Sequence, residues 1–124
     1  MRISSYRDLK VWQDAMALAE GSYLLTRRFP KDELYGMTSQ IRRAAASIAA
    51  NIAEGHGREN SGVFVQFLRV SQGSLKELET HLILAVRVGM TKSEEVKALL
   101  SRCDELGRML RSLIRAIQRR RNDA

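Results

Sequence analysis

The chain has 124 residues, 44% hydrophobic and 28% charged, with a formal net charge of +7 and a pI near 10.2. That length holds one domain with a buried core, while a single proline, eight glycines, one cysteine and two histidines exclude a loop-rich chain, a disulfide framework and a zinc scaffold. No apolar run reaches the roughly 20 residues of a membrane span and "MRISSYRDLK" lacks the apolar core of a signal peptide, so a cytoplasmic protein without membrane contact is expected.

Four helices are predicted in chain order within a single domain, 1–124. The first, about 5–28, starts from an N-cap at Ser5 and carries Leu9, Trp12, Met16, Ala19 and Tyr23 at alternating spacings of three and four. Phe29-Pro30 stops it. The second covers about 38–54 and ends at Gly55 and Gly57. The third, about 61–88, enters through Asn60 or Ser61, keeps Phe64, Leu68, Ser71, Leu75, Leu78, Leu82 and Ala85 in heptad register, and closes at Gly89. The fourth, about 92–119, opens on a Thr91–Glu94 capping box, carries Val96, Leu99, Cys103, Leu106, Leu110, Leu113 and Ile117, and leaves a basic tail at 119–124. Short connections and the lack of alternating strand patterns predict an all-α, antiparallel up-and-down four-helix bundle.

The second helix is unusual. At 100° per residue Ile41, Ala45, Ile48 and Ile52 form one narrow core stripe. Ala46, Ala49, Ala50 and Ala53 fill an adjoining sector, and Gln40, Arg43, Ser47, Asn51 and Glu54 a third. The alanines read either as helix formers on a half-exposed face or as thin side chains that admit a second neighbour. Serine and asparagine are mediocre in helix interiors, so their placement favours bonding to a neighbouring helix or subunit, with Glu77 or Glu79 as partners for the arginines.

"FPKDELYGMTSQIRRAAASIAANIAEGHGRE", with "YRDLKVWQDAMAL" before it and "SQGSLKELETHL" after it, resembles the four-helix-bundle family named for proteins encoded in intervening sequences of bacterial large-subunit (23S) ribosomal RNA. The resemblance spans nearly the whole chain and is most specific at Gln40, Arg43, Ala44, Ser47, Asn51, Ile52, Glu54 and Gly55, then at Gly73, Ser74, Leu75, Glu77 and Leu78. It implies a bundle that assembles into a ring, typically of five subunits, with Gln40, Arg43, Ser47, Asn51, Glu54, Gly55, Ser74 and Glu77 in structural or interface roles. The family is related to the accessory protein of diversity-generating retroelements, which engages nucleic acid and a reverse transcriptase; genomic context suggests ribosomal RNA as a partner.

Arginine dominates the charge. Arg108, Arg111, Arg115 and Arg119 fall within roughly 80° on the fourth helix, and Arg120 and Arg121 extend them into the tail. One reading is dipole complementation and solubility at a helix C-terminus. The other is contact with a phosphate backbone, multiplied around an oligomer, with Arg42 and Arg43 as contributors. Most aromatic residues lie on predicted core faces, which argues against reading of single-stranded bases and for backbone charge.

No catalytic constellation is present: Cys103 sits at a core position, His56 in a glycine-rich turn and His81 at the edge of a helix seam, and "EGHGRENSG" lacks the lysine and hydroxyl of a P-loop. The expected function is that of a non-enzymatic, cofactor-free homo-oligomer that binds nucleic acid, RNA foremost. The alternative is a protein-binding scaffold or accessory subunit, for example of a reverse transcriptase, with no nucleic-acid role.

Overall fold

The computed structural model describes residues 5–123, and among these the ordered elements are helices, with no strand. The long ones are α1 (Lys10–Thr26), α2 (Met37–Gly57), α3 (Ser61–Arg87) and α4 (Ser93–Asp123), with 3-10 turns at Tyr6–Asp8 and Lys31–Glu33. Each helix packs on its two neighbours, α1 on α2, α2 on α3, α3 on α4 and α4 back on α1. Rising positions on one helix meet falling positions on the next: Ser47 and Gly55 of α2 meet Ser74 and Phe67 of α3.

Local chemistry sets the boundaries. Ser5 caps only the first 3-10 turn, accepting from the Arg7 amide, and the extended backbone at Leu9 separates that turn from α1, so the first helix starts later than predicted. At the start of α2 the Glu33 carboxylate accepts from the Met37 amide at 3.1 Å. Asn60 caps α3 by accepting from the Val63 amide at 2.9 Å. The capping carboxylate of α4 is Glu95 rather than the expected Glu94. Glu95 accepts from the Lys92 amide at 3.0 Å and the Thr91 hydroxyl at 3.1 Å, and these two bonds hold its carboxyl below the usual carboxylate range. Helix α4 then runs through the basic tail to Asp123, because arginine is a good helix former and no proline or glycine intervenes after Gly107.

Of the two glycines expected to end α2, Gly57 is its last residue, but Gly55 does something else. The chain reverses at Glu59, whose φ is 55°, while Gly55 is buried inside the last turns of the helix. A Cβ at Gly55 would lie 2.5 Å from Cβ of Phe67 and 3.2 Å from Cδ1 of Phe64, so glycine is there to let α3 approach. Gly89, at φ 81°, does close α3 as expected.

The core is built from Ile41, Ile48 and Ile52 of α2, Leu68, Leu75, Leu78 and Leu82 of α3, and Val96, Leu106 and Leu110 of α4, all essentially sealed from solvent. Helix α1 departs from its predicted face. Leu9 and Ala19 are buried as predicted, but the rest of its seam is Val11, Ala15, Leu18, Ser22 and Leu25, each beside rather than at Trp12, Met16 and Tyr23. Both stripes are apolar enough to pass as core. The small one wins because Ser22 satisfies its hydroxyl on the Leu18 carbonyl at 2.9 Å, and because thin side chains let α1 lie close to the alanine-rich α2. Ser71 of α3 is accommodated the same way, donating to the Ile48 carbonyl across the helix contact at 3.0 Å.

Two expectations follow. Gly55→Ala gains about 1 kcal/mol of helix propensity but overpacks against Phe67 at a cost of about 1–3 kcal/mol, so urea denaturation should show net destabilisation. Gly73→Ala, where a Cβ meets nothing within 4 Å, should instead stabilise by about 0.5–1 kcal/mol. Burial pushes the Cys103 thiol up to about 12. It should therefore resist alkylation at pH 8 in the native protein and react once unfolded, and because the folded value lies above the unfolded one, stability should decline as pH rises from about 9 towards 12.

Candidate nucleic-acid interface

The C-terminal half of α4 carries its arginines on the side away from Cys103, Leu106, Leu110 and Ile114, which hold that helix in the core. Arg108, Arg111, Arg115, Arg119 and Arg120 are all exposed. Arg108 pairs with Asp104 one turn earlier, at 2.9 Å; the other four make no ion pair among the described residues. Arg121 is placed differently, with its guanidinium lying over Gly62 at the start of α3, where a Cβ would come within 3.2 Å of it. The stripe expected from the sequence is thus a row of four exposed cations, Arg108, Arg111, Arg115 and Arg119, with Arg120 exposed about 100° round the helix from Arg119 and Arg121 folded against a neighbouring helix.

Arg42 belongs to another environment. It is half-buried, donates from Nε to the Thr26 hydroxyl at 2.8 Å and lies over the Tyr23 ring at 4.8 Å from its centroid, which ties α2 to the end of α1. Arg43, one position on, is exposed. Neither meets Glu77 or Glu79: Glu79 pairs with Lys76 at 3.1 Å within α3.

The polar sector of α2 divides between α3 and solvent. The Ser47 and Ser74 hydroxyls bond each other at 2.9 Å, which accounts for the serine in mid-helix on both elements. Asn51 donates back to the Ser47 carbonyl and hydroxyl, at 2.8 and 3.0 Å, completing a small network at the α2–α3 contact. Glu54 pairs with Arg58 at 3.2 Å, and Gln40 and Glu77 face outward.

The alanine sector has no covering helix inside the subunit. Ala49 is buried, but Ala46 and Ala50 are exposed and, with Ala53, form the floor of an open groove of about 620 Å³ walled by Trp12, Met16 and Tyr23 of α1. The aromatic and thioether side chains that sequence reasoning assigned to the core therefore stand on this rim, Met16 37% and Tyr23 43% exposed, with Leu24 at 58% beyond them. Most aromatic residues do lie against the core as expected, Tyr6 among them. Phe29 is buried and Trp12, Phe64 and Phe67 half-buried, but Tyr35, in the connection between α1 and α2, is 94% exposed. The signal that sequence reading missed was the small-residue register of α1, since a helix that turns alanine and serine inward must turn its bulk outward.

Among the described residues no helix is long and apolar enough to cross a membrane, and no group of three or more histidine, cysteine, aspartate or glutamate side chains is arranged to hold a metal ion.

Comparison with known proteins places these features. No curated protein matches the chain significantly. A crystal structure of a protein of unknown function from the S23 ribosomal protein family of Bacteroides thetaiotaomicron superposes with a TM-score of 0.75 at 23% identity, over 84% of this chain and 97% of that one. The two share a fold. The family model for the 23S rRNA-intervening sequence protein matches residues 7–112, a span that takes in the α2 sectors, the groove and the first two stripe arginines, Arg108 and Arg111. The chain belongs to the 23S rRNA-intervening sequence protein family.

Proposed function

We propose that this protein is a non-enzymatic, cytoplasmic RNA-binding protein: an antiparallel up-and-down bundle that assembles into a ring-shaped homo-oligomer, five subunits by family resemblance, and grips polyanions through α4. The observation that carries the reading is the row Arg108, Arg111, Arg115 and Arg119, with Arg120 on its flank, exposed along one rigid helix and largely unpaired among the described residues. A guanidinium offers phosphate oxygens two parallel donors in a fixed planar fork. Spaced along roughly 18 Å of helix, the five would follow a phosphate backbone without reading its sequence.

Assembly is supported by two apolar surfaces that the subunit leaves uncovered. One is the alanine-floored groove. The other is a line on α3, in which Val70, Glu77 and Leu84 recur every seven residues and Val88 follows, the three hydrophobic members 52%, 42% and 56% exposed. Glu77 on that line and Arg27 at the groove rim carry opposite charges, and neither has an ion-pair partner among the described residues. A second copy seated groove to α3 line makes a heterologous contact, the kind that closes into rings. Each added subunit then adds its arginine row to the same polyanion.

Changing Arg108, Arg111, Arg115 and Arg119 together to glutamine should abolish most RNA binding at physiological salt. The slope of log affinity against log salt should become shallower by about 2.8 units for each subunit in contact with a single-stranded RNA, with the mass of the assembly unchanged. Unchanged RNA binding would favour the rival, a scaffold or accessory subunit that recognises protein. Ala50→Glu places a charge on the groove floor without entering the core, and light scattering should show a shift from oligomer to monomer; a mass equal to wild type would remove the groove from the interface.

A further inference from the structure

At the corner where α1 hands over to α2, a second cationic site stands apart from the α4 row. A recess of about 390 Å³ is lined by Tyr23, Tyr35, Thr38, Ser39, Arg42 and Arg43, together with Leu34, and none of these seven is acidic. The carboxylate nearest in sequence, Glu33, is occupied in capping Met37. Arg42 is positioned from both sides, by the Thr26 hydroxyl at 2.8 Å and the Tyr23 ring at 4.8 Å, and its bond to Thr26 uses only Nε. Arg43 is exposed without an ion pair among the described residues, and Tyr35 offers nearly its whole ring, at 94% exposure.

An aromatic ring so exposed is costly to leave in water. Its neighbours indicate what it meets. A purely apolar partner would leave the Arg43 guanidinium and the free edge of Arg42 without bonds, whereas an unpaired nucleotide uses both, its base on a tyrosine face and its phosphate on the arginines. We infer that the Tyr35–Arg42–Arg43 corner binds one or two unpaired nucleotides of a single-stranded or looped nucleic acid. This deepens the RNA-binding reading, on which it rests, by assigning the unpaired part of the ligand to a site of its own.

The corner and the arginine row lie at different levels of the bundle. Arg28, beside the corner, pairs with Glu95 at the start of α4, whereas Arg108 to Arg120 lie 13 to 25 residues further along that helix, roughly 20–38 Å at 1.5 Å per residue. A stacked trinucleotide, about 10 Å long at 3.4 Å per nucleotide, cannot bridge them. Because α4 carries no Phe, Trp or Tyr, the stacking signal of a trinucleotide reports on the corner.

The test is a titration of the full-length protein with a 5′-phosphorylated tri-adenosine ribonucleotide carrying 2-aminopurine at its centre, whose fluorescence is quenched on stacking. Wild type should quench it saturably. Tyr35→Ala should weaken binding about tenfold and abolish the quench, Tyr35→Phe should retain both, and Arg43→Gln should make the salt slope shallower by about 0.7. The four-arginine α4 variant should bind the trinucleotide as wild type does, so unchanged long-RNA binding in that variant with the trinucleotide signal intact would sink the α4 reading and leave the corner standing. Absence of quenching in wild type, equal affinity of Tyr35→Ala, or a Tyr35→Ala protein whose oligomer mass changes while its trinucleotide affinity does not would overturn the inference, the last outcome marking the corner as a protein contact.

Discussion

The close approach of α1 to α2 is the constraint from which the rest follows. Ala15, Ala19 and Ser22 on one helix and Ala45 and Ala49 on the other are all buried, and none fills much space. Contacts this thin gain little from transfer out of water, about 25 cal/mol per Å² of apolar surface, so they cannot be the main source of stability. That comes from the isoleucines of α2 and the leucines of α3 and α4. What the small residues fix is spacing, and with it which side chains have no room inside: Trp12, Met16 and Tyr23 stand at the rim of a groove because the inward face of α1 is taken by alanine and serine.

A similar logic governs the α2–α3 contact. Gly55 removes a side chain where Phe67 needs the space, and Ser71 replaces a hydrophobe where the Ile48 carbonyl needs a donor. Ser47, Ser74 and Asn51 then bond one another at the outer edge of the contact, leaving the rest of the polar sector to solvent. The subunit is thereby closed on its α2–α3 and α3–α4 sides and left apolar on its α1–α2 side, while its basic charge is gathered along the last helix.

Much of this was legible in the sequence. The isoleucine stripe of α2 and most heptad residues of α3 and α4 are the core, while Phe64, Leu113 and Ile117 are half-buried and Val65 and Ile114 beside them are sealed. In α1 two adjacent stripes compete, and hydrophobicity alone selects the wrong one; the deciding facts, that Ser22 can be satisfied by its own helix and that α2 opposite is thin, belong to packing. The arginine row on α4 was legible because exposed charge follows helical period directly. Arg42 was not separable from Arg43 by type, since only the turn of the helix towards Thr26 and Tyr23 distinguishes them. Tyr35 was invisible as an exposed ring because connections between helices carry no periodicity that says which way a side chain faces.

The account stands on the idea that charge from several subunits acts on one polyanion. One subunit's row of Arg108, Arg111, Arg115, Arg119 and Arg120 can neutralise at most five phosphates, which corresponds to a salt slope of about −3.5 on single-stranded RNA. The direct measurement is the affinity of the wild-type protein for a long, unstructured RNA at several salt concentrations, with the mass of the bound species determined at each. The account predicts a slope clearly steeper than that single-subunit limit and a complex containing several subunits per RNA; a slope near zero, or a single subunit bound at every concentration, would contradict it.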